Sequence, residues 1–99
     1  MFMLHGRLAA KPGRRDDLLA LLQQPEQAGP MPGCRLYVVA IDEADPDGVW
    51  VTEVWESEQA HGASLQLETV KQLIAQARPL LDVAGFKQQR LTAIAGVPD

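Results

Sequence analysis

Two kinds of hydrophobic period alternate along this chain, and their order leaves few folds open. Residues 2–10, FMLHGRLAA, put Phe2, Leu4 and Leu8 on one side of an extended chain and His5 and Arg7 on the other, which predicts a half-buried strand. Lys11-Pro12-Gly13 breaks that period. Leu18, Leu19, Leu21 and Leu22 then recur at helical spacing behind Asp16 and Asp17, two acids that suit the positive end of a helix dipole. Proline is tolerated in a first helical turn, so a helix is predicted over about 13–27. Gly29-Pro30-Met31-Pro32-Gly33 cannot continue it and predicts a stiff turn.

The β-forming run CRLYVVAID, residues 34–42, predicts a second strand, Asp45-Pro46-Asp47-Gly48 has turn chemistry, and VWVTEVWE, residues 49–56, predicts a third strand. Ser57 is a good N-cap for a short helix over 58–64. Val70, Leu73, Ile74 and Ala77 make another helical stripe, expected to end near Arg78-Pro79 because the residue before proline resists the α region. Asp82 to Gly85 turns the chain, and FKQQRLTAIA, residues 86–95, predicts the last strand. A single domain is expected over residues 1–96, with 97–99 as a tail.

The resulting order, β-α-β-β-α-α-β, is that of an α+β domain. Two interleaved right-handed crossovers build a four-stranded antiparallel sheet with helices on one face. In the third strand the odd positions are Val49, Val51, Glu53 and Trp55, the even ones Trp50, Thr52, Val54 and Glu56, so neither face is purely apolar. A sheet covered on both sides explains that mixture. Helices cover one face, and a second copy of the sheet in a homodimer is expected to cover the other. A chain of 99 residues buries a modest share of its surface, so added area from a partner has a clear physical use.

Charge narrows the partners. The formal net charge is −4, and even the densest basic spot, Arg14-Arg15, is followed by Asp16-Asp17. Nucleic-acid binding calls for a basic patch, which the sequence lacks. No apolar run approaches the roughly 20 residues that span a bilayer. Met1-Phe2-Met3-Leu4 does not read as a signal peptide, and one cysteine, Cys34, cannot form an internal disulfide, so a reducing cytoplasm is expected. The two histidines lie far apart with no close Cys/His pairing, which gives no metal-ligand spacing, and there is no phosphate-cradling glycine loop.

Several stretches carry a resemblance. Ala10-Lys11-Pro12-Gly13, Pro32-Gly33-Cys34 and Val51-x-Glu53-Val54-Trp55-Glu56-Ser57 resemble the antibiotic biosynthesis monooxygenase family, and in particular its quinol-monooxygenase-like branch. The likeness extends through Trp55-Glu56-Ser57-Glu58-Gln59-Ala60-His61-x-Ala63-Ser64-Leu65 and Ile74-Ala75-x-Ala77-Arg78-Pro79-Leu80. It implies a dimeric ferredoxin-like fold and oxidation of an electron-rich aromatic, a quinol or phenol, by dioxygen with no metal, flavin, haem or other cofactor. Such a protein must supply a dry aromatic-sized pocket, a proton acceptor, and donors for the developing oxyanion. The haem-degrading members rely on an Asn-Trp-His set, and this chain contains no asparagine, which disfavours that branch.

His61 is the first candidate, as a base, because it sits early in a helix just after the third strand. Its alternative role is to fix the strand-helix corner by bonding a backbone group. Trp55 is the second catalytic candidate, walling a pocket and offering its indole N–H, or else serving as a core anchor. Trp50 lies on the opposite strand face, so at most one of the two points under the helices. His5 and Tyr37 are the candidate substrate-binding residues, with a partly exposed position or the dimer seam as the alternative for His5 and ordinary strand packing for Tyr37. Arg7 and Arg90 could orient an anionic substrate, with solvated sheet charges or cross-strand pairs with Glu53 as their alternative, and Cys34 is expected as structural.

Two functions of different kind follow. One is a cofactor-independent monooxygenase, which requires a mostly apolar cavity between sheet and helices lined by His61 or His5. The other is a non-catalytic dimeric module that binds a small aromatic ligand or a protein partner, in which Leu and Val fill that space and His61 caps a backbone group.

Overall fold

The computed structural model describes residues 1–24 and 31–98. Its strands are β1 (Phe2–Ala9), β2 (Cys34–Ile41), β3 (Gly48–Trp55) and β4 (Lys87–Thr92). Its helices are α1 (Arg15–Leu22), α2 (Glu58–Ser64) and α3 (Glu68–Ala77), followed by two short 3-10 turns at Arg78–Leu80 and Val83–Gly85. The strands form one sheet in the order β2-β3-β1-β4, with every neighbouring pair antiparallel. Strands β1 and β2 are therefore parallel to each other across β3, as are β3 and β4 across β1, which is the interleaved double crossover of a ferredoxin-like α+β fold.

Local chemistry sets the element ends. Helix α1 starts at Arg15, later than the predicted 13, because Gly13 takes φ +76° and the Arg14 N–H donates to the Lys11 carbonyl at 2.9 Å. Pro12 and Gly13 thus both lie in a turn ahead of the helix. Arg14 pairs with Asp17 at 2.7 Å, an exposed contact of small energetic weight. The predicted continuation of this helix to 27 and the Gly29-Pro30 turn lie outside the described residues. Ser57 caps α2 as expected, its Oγ accepting from the Ala60 N–H at 3.0 Å, a contact of about 1 kcal/mol. Helix α3 ends at Ala77, close to the predicted point but for another reason. Arg78 keeps helical dihedrals (φ −51°, ψ −48°), and the chain tightens into a 3-10 turn around Pro79. Strand β4 is shorter than predicted, stopping at Thr92.

Register fixes the faces. Leu4 opposes Glu53, Gly6 opposes Val51 and Leu8 opposes Val49, so these residues share the helix-covered side. There Leu18 and Leu22 of α1, Val49 of β3, Ala77 of α3, Leu80 and Ala10 form the buried core. Full burial of a side chain such as Leu18 stabilises by about 1.5–3 kcal/mol. The opposite sheet face carries Met3, His5, Trp50, Thr52 and Val54, with Val38 and Leu91 exposed, and no helix among the described residues covers it. At its edge the β2–β3 turn is pinned from two sides. Arg7 of β1 pairs with Asp45 and donates to the Gly85 carbonyl, while Arg15 of α1 donates to the carbonyls of Asp42 and Asp45. No helix of the described residues is long and apolar enough to cross a membrane.

Candidate functional site

A partly open cavity of about 400 Å³ lies between the sheet and the helices. Its walls are mainly aliphatic: Leu8 and Val51 from the sheet, Leu22 from α1, and Val70, Leu73 and Ile74 from the stripe of α3. Three of the four residues singled out in the sequence reach it, namely Trp55, His61 and Tyr37.

Trp55 ends β3 fully buried, with its indole on the helix side. Residues two apart on a strand share a face, so Glu53 lies beside it, and the Trp55 Nε1–H donates to Glu53 Oε1 at 3.2 Å. The chain then turns through Ser57 into α2, whose first turn brings His61 back over the strand it has just left. The His61 ring meets the edge of Trp55 at a centroid distance of 5.4 Å and the Phe2 ring at 5.7 Å. Phe2 is itself covered by the Arg90 guanidinium at 5.4 Å, and Arg90 is paired with Glu58 at 2.6 Å. The His61 backbone carbonyl accepts from Ser64 Oγ at 2.6 Å, which fixes this turn of α2 from inside. The imidazole is thus held by ring packing, and among the described residues it bonds no backbone group, the role the binding-module reading gives it.

Tyr37 lies opposite Glu53 in the β2–β3 register and donates its hydroxyl hydrogen to the Leu22 carbonyl at 3.2 Å, tying the sheet to the end of α1. Its ring forms part of the cavity wall. His5 is not brought to the cavity. It points to the uncovered sheet face, stacks on Trp50 at 5.1 Å and makes a 3.0 Å hydrogen bond between its Nδ1 and Thr52 Oγ1. Trp50 follows it onto that face, donating its indole N–H to Asp42 at 3.1 Å.

The site residue that the sequence reading missed is Glu53. A cross-strand pair with Arg7 or Arg90 is one of the places the sequence offers it, yet Arg7 pairs with Asp45 and Arg90 with Glu58. Glu53 lines the cavity instead. Burial pushes its carboxyl above the ordinary glutamate value, opposed by the His61 charge and by the Trp55 N–H bond. The signal was its parity with Trp55: a charged residue two positions from a buried tryptophan on one strand shares that residue's buried face. Cys34 is part-buried at the start of β2, and burial together with the Glu53 charge raises its thiol. Among the described residues no cluster of three or more His, Cys, Asp or Glu is placed to hold a metal ion.

The site therefore joins one imidazole, one carboxyl and an indole to an apolar space large enough for a small organic ring. Comparison with known proteins bears on what such a site belongs to. The family model described as antibiotic biosynthesis monooxygenase matches residues 1–76. A candidate antibiotic biosynthesis monooxygenase from Chloroflexus aurantiacus is 44% identical, with 98% of this chain and 96% of that chain aligned and a TM-score of 0.87. Another from Deinococcus radiodurans is 29% identical, with 100% and 98% covered and a TM-score of 0.81. A Pseudomonas aeruginosa protein, 23% identical with 95% and 94% covered, shares the fold at a TM-score of 0.80. No protein of curated function matches the chain. Sequence and fold agree over the strands and helices that build the cavity, and this chain belongs to the antibiotic biosynthesis monooxygenase family.

Proposed function

We propose that this protein is a monooxygenase of the quinol-oxidising kind, which oxidises a phenol or quinol with dioxygen and draws on no metal, flavin or haem. The observation that carries the reading is His61, held over Trp55 at the wall of an apolar cavity of about 400 Å³. In this reading the imidazole takes the proton of a ring hydroxyl. The O–H bond breaks, an N–H bond forms, and the ring keeps the electron pair as a phenolate. The phenolate passes an electron to dioxygen, and the ring radical and superoxide join in a C–O bond. The imidazolium returns its proton to the peroxide so formed, and loss of water from the hydroperoxide leaves one oxygen atom on a quinone. The ring supplies all four electrons, so the balance needs no external reductant. Excluding water from the aliphatic walls strengthens each electrostatic contact the phenolate makes.

The uncovered sheet face supports a homodimer joined through that face, since Val38 and Leu91 are exposed there beside Met3 and the His5–Trp50 stack. His5 then belongs to the seam between subunits rather than to the reaction. A cytoplasmic location fits a chain whose single cysteine is a part-buried free thiol.

The test is oxygen uptake with a panel of hydroquinones and anthrones, comparing the protein with His61→Ala. A positioned general base contributes about 10²–10⁴-fold, so uptake should fall by at least about 10²-fold while circular dichroism stays unchanged. Equal rates in the two proteins, or no uptake above buffer across the panel, would overturn the reading.

A further inference from the structure

The aliphatic walls of the cavity accept any ring of suitable size, so selection among rings falls to its few polar atoms. Glu53 stands out among them. One carboxyl oxygen, Oε1, is held by the Trp55 indole N–H at 3.2 Å. The other, Oε2, has no hydrogen-bond partner among the described residues, and no buried side-chain oxygen or nitrogen there is left unsatisfied. Oε2 is therefore open to the cavity that Glu53 lines. The indole bond also fixes its direction, because Trp55 is fully buried and cannot swing away.

The surrounding charges leave this carboxyl uncompensated. Among the described residues no lysine or arginine lines the cavity. Arg35 is paired with Glu56 at 2.8 Å, Arg90 with Glu58, and Arg7 with Asp45 beyond the other sheet face. Among the described residues the one group in the cavity that can carry a positive charge is His61, which interacts with Glu53 through space and forms no ion pair with it. An open acceptor oxygen in a cavity that an imidazole also lines suits a hydroxyl, which can donate to it. It suits an acidic substituent badly, since like charges in a poorly solvated site repel strongly.

We propose that Glu53 is the specificity-determining residue of the cavity: its open oxygen accepts a hydrogen bond from a hydroxyl of an uncharged ring other than the one whose proton His61 takes, and its charge turns away rings that carry an acid group. The substrates are then neutral phenols or quinols, and aromatic carboxylates and sulfonates are excluded. This inference rests on the reading of the cavity as an aromatic site, and its test separates the two. Equilibrium binding of 2-naphthol and of 2-naphthoate is measured at pH 8 by calorimetry, for the protein and for Glu53→Gln. Glutamine keeps an oxygen to accept the Trp55 N–H while losing the charge. Naphthol should bind at least about tenfold more tightly than naphthoate to the protein, and the two should come within about threefold of each other in the variant. Equal affinities in the unaltered protein, which involve no variant at all, would overturn the role of Glu53 and leave the aromatic cavity standing. A preference that persists undiminished in a folded Glu53→Gln would overturn it as well. Binding of neither compound would refute the aromatic cavity itself, and the selectivity with it.

Discussion

Gly33 offers a direct test of how the site is held. It takes φ +80°, and a Cβ built there would sit 2.7 Å from the Cβ of Ala60 in the first turn of α2. Its carbonyl also accepts the Glu56 N–H at 2.8 Å, so it marks the point where the start of β2 touches the strand-helix corner. In Gly33→Ala the left-handed backbone alone costs about 1–2 kcal/mol. The new methyl lies roughly 1 Å inside the usual carbon–carbon contact distance, and forcing the two elements apart adds about 1–3 kcal/mol. The variant should therefore lose about 2–5 kcal/mol, a fall in Tm of about 8 °C or more for a chain of this size. Ala60→Gly alone removes a helix-favouring residue at about 1 kcal/mol. In the double variant the overlap is gone and only the backbone and helix costs remain, about 2–3 kcal/mol. The cycle should thus show a favourable coupling of about 1–3 kcal/mol, measured by urea denaturation at one fixed protein concentration. Losses that add to within about 0.5 kcal/mol would refute the contact as the reason for glycine. The functional consequence is local: His61 follows Ala60, so pushing α2 off the sheet lifts the imidazole from Trp55.

Two further outcomes are expected. Burial raises the Glu53 carboxyl above its ordinary 4.5, so the folded chain binds that proton more tightly than the unfolded chain and the ionised form destabilises the fold. Glu53→Gln should accordingly be the more stable protein at pH 7, with the gain shrinking as pH falls through the raised folded value and gone below about 4.5; urea midpoints taken from pH 8 to pH 4 check this, and a gain independent of pH would refute it. Burial first, and the Glu53 charge second, hold the Cys34 thiol above its ordinary 9.0, so it should react with a disulfide reagent at pH 8 more slowly than free cysteine, and Glu53→Gln should speed the reaction. An unchanged rate in the variant would remove the charge from the account.

Most of the fold was legible because each element carries its own local signal. The leucines of α1, the Ser57 cap and the Asp45–Gly48 turn each act over a few residues, and the order of elements then leaves one simple sheet. Parity on β3 was equally legible, and it correctly sent Trp50 and Trp55 to opposite faces. What local signals could not supply was register and pairing across distance. His5 was placed with its face correctly against Phe2, Leu4 and Leu8, but its tie to Trp50 and Thr52 depends on which β3 residue lies opposite it. The start of α1 was misjudged by two residues because Pro12 suits both a first helical turn and the loop before it. The conformation of Gly13 decides between them, and that is a property of the folded chain.

Glu53 was missed for a deeper reason. Charged residues in strands are ordinarily assigned to water or to a cross-strand cation, and β1 and β4 each supply an arginine within reach of such an assignment. Both arginines prove to be committed elsewhere, to Asp45 and Glu58. That leaves an acid on the face that also holds Val49, Val51 and Trp55, where a threonine or valine would pack without a desolvation cost. A sequence that breaks a local rule while its neighbours obey it marks a position chosen for something other than stability. The hydrogen bond from Trp55 strengthens this inference, because it orients the carboxyl without compensating its charge. Glu56, by contrast, is paired with a cation, Arg35, and Asp42, which also accepts an indole N–H, takes a backbone N–H besides. Held by an uncharged donor in a cavity that His61 also lines, Glu53 keeps a carboxyl available to whatever enters.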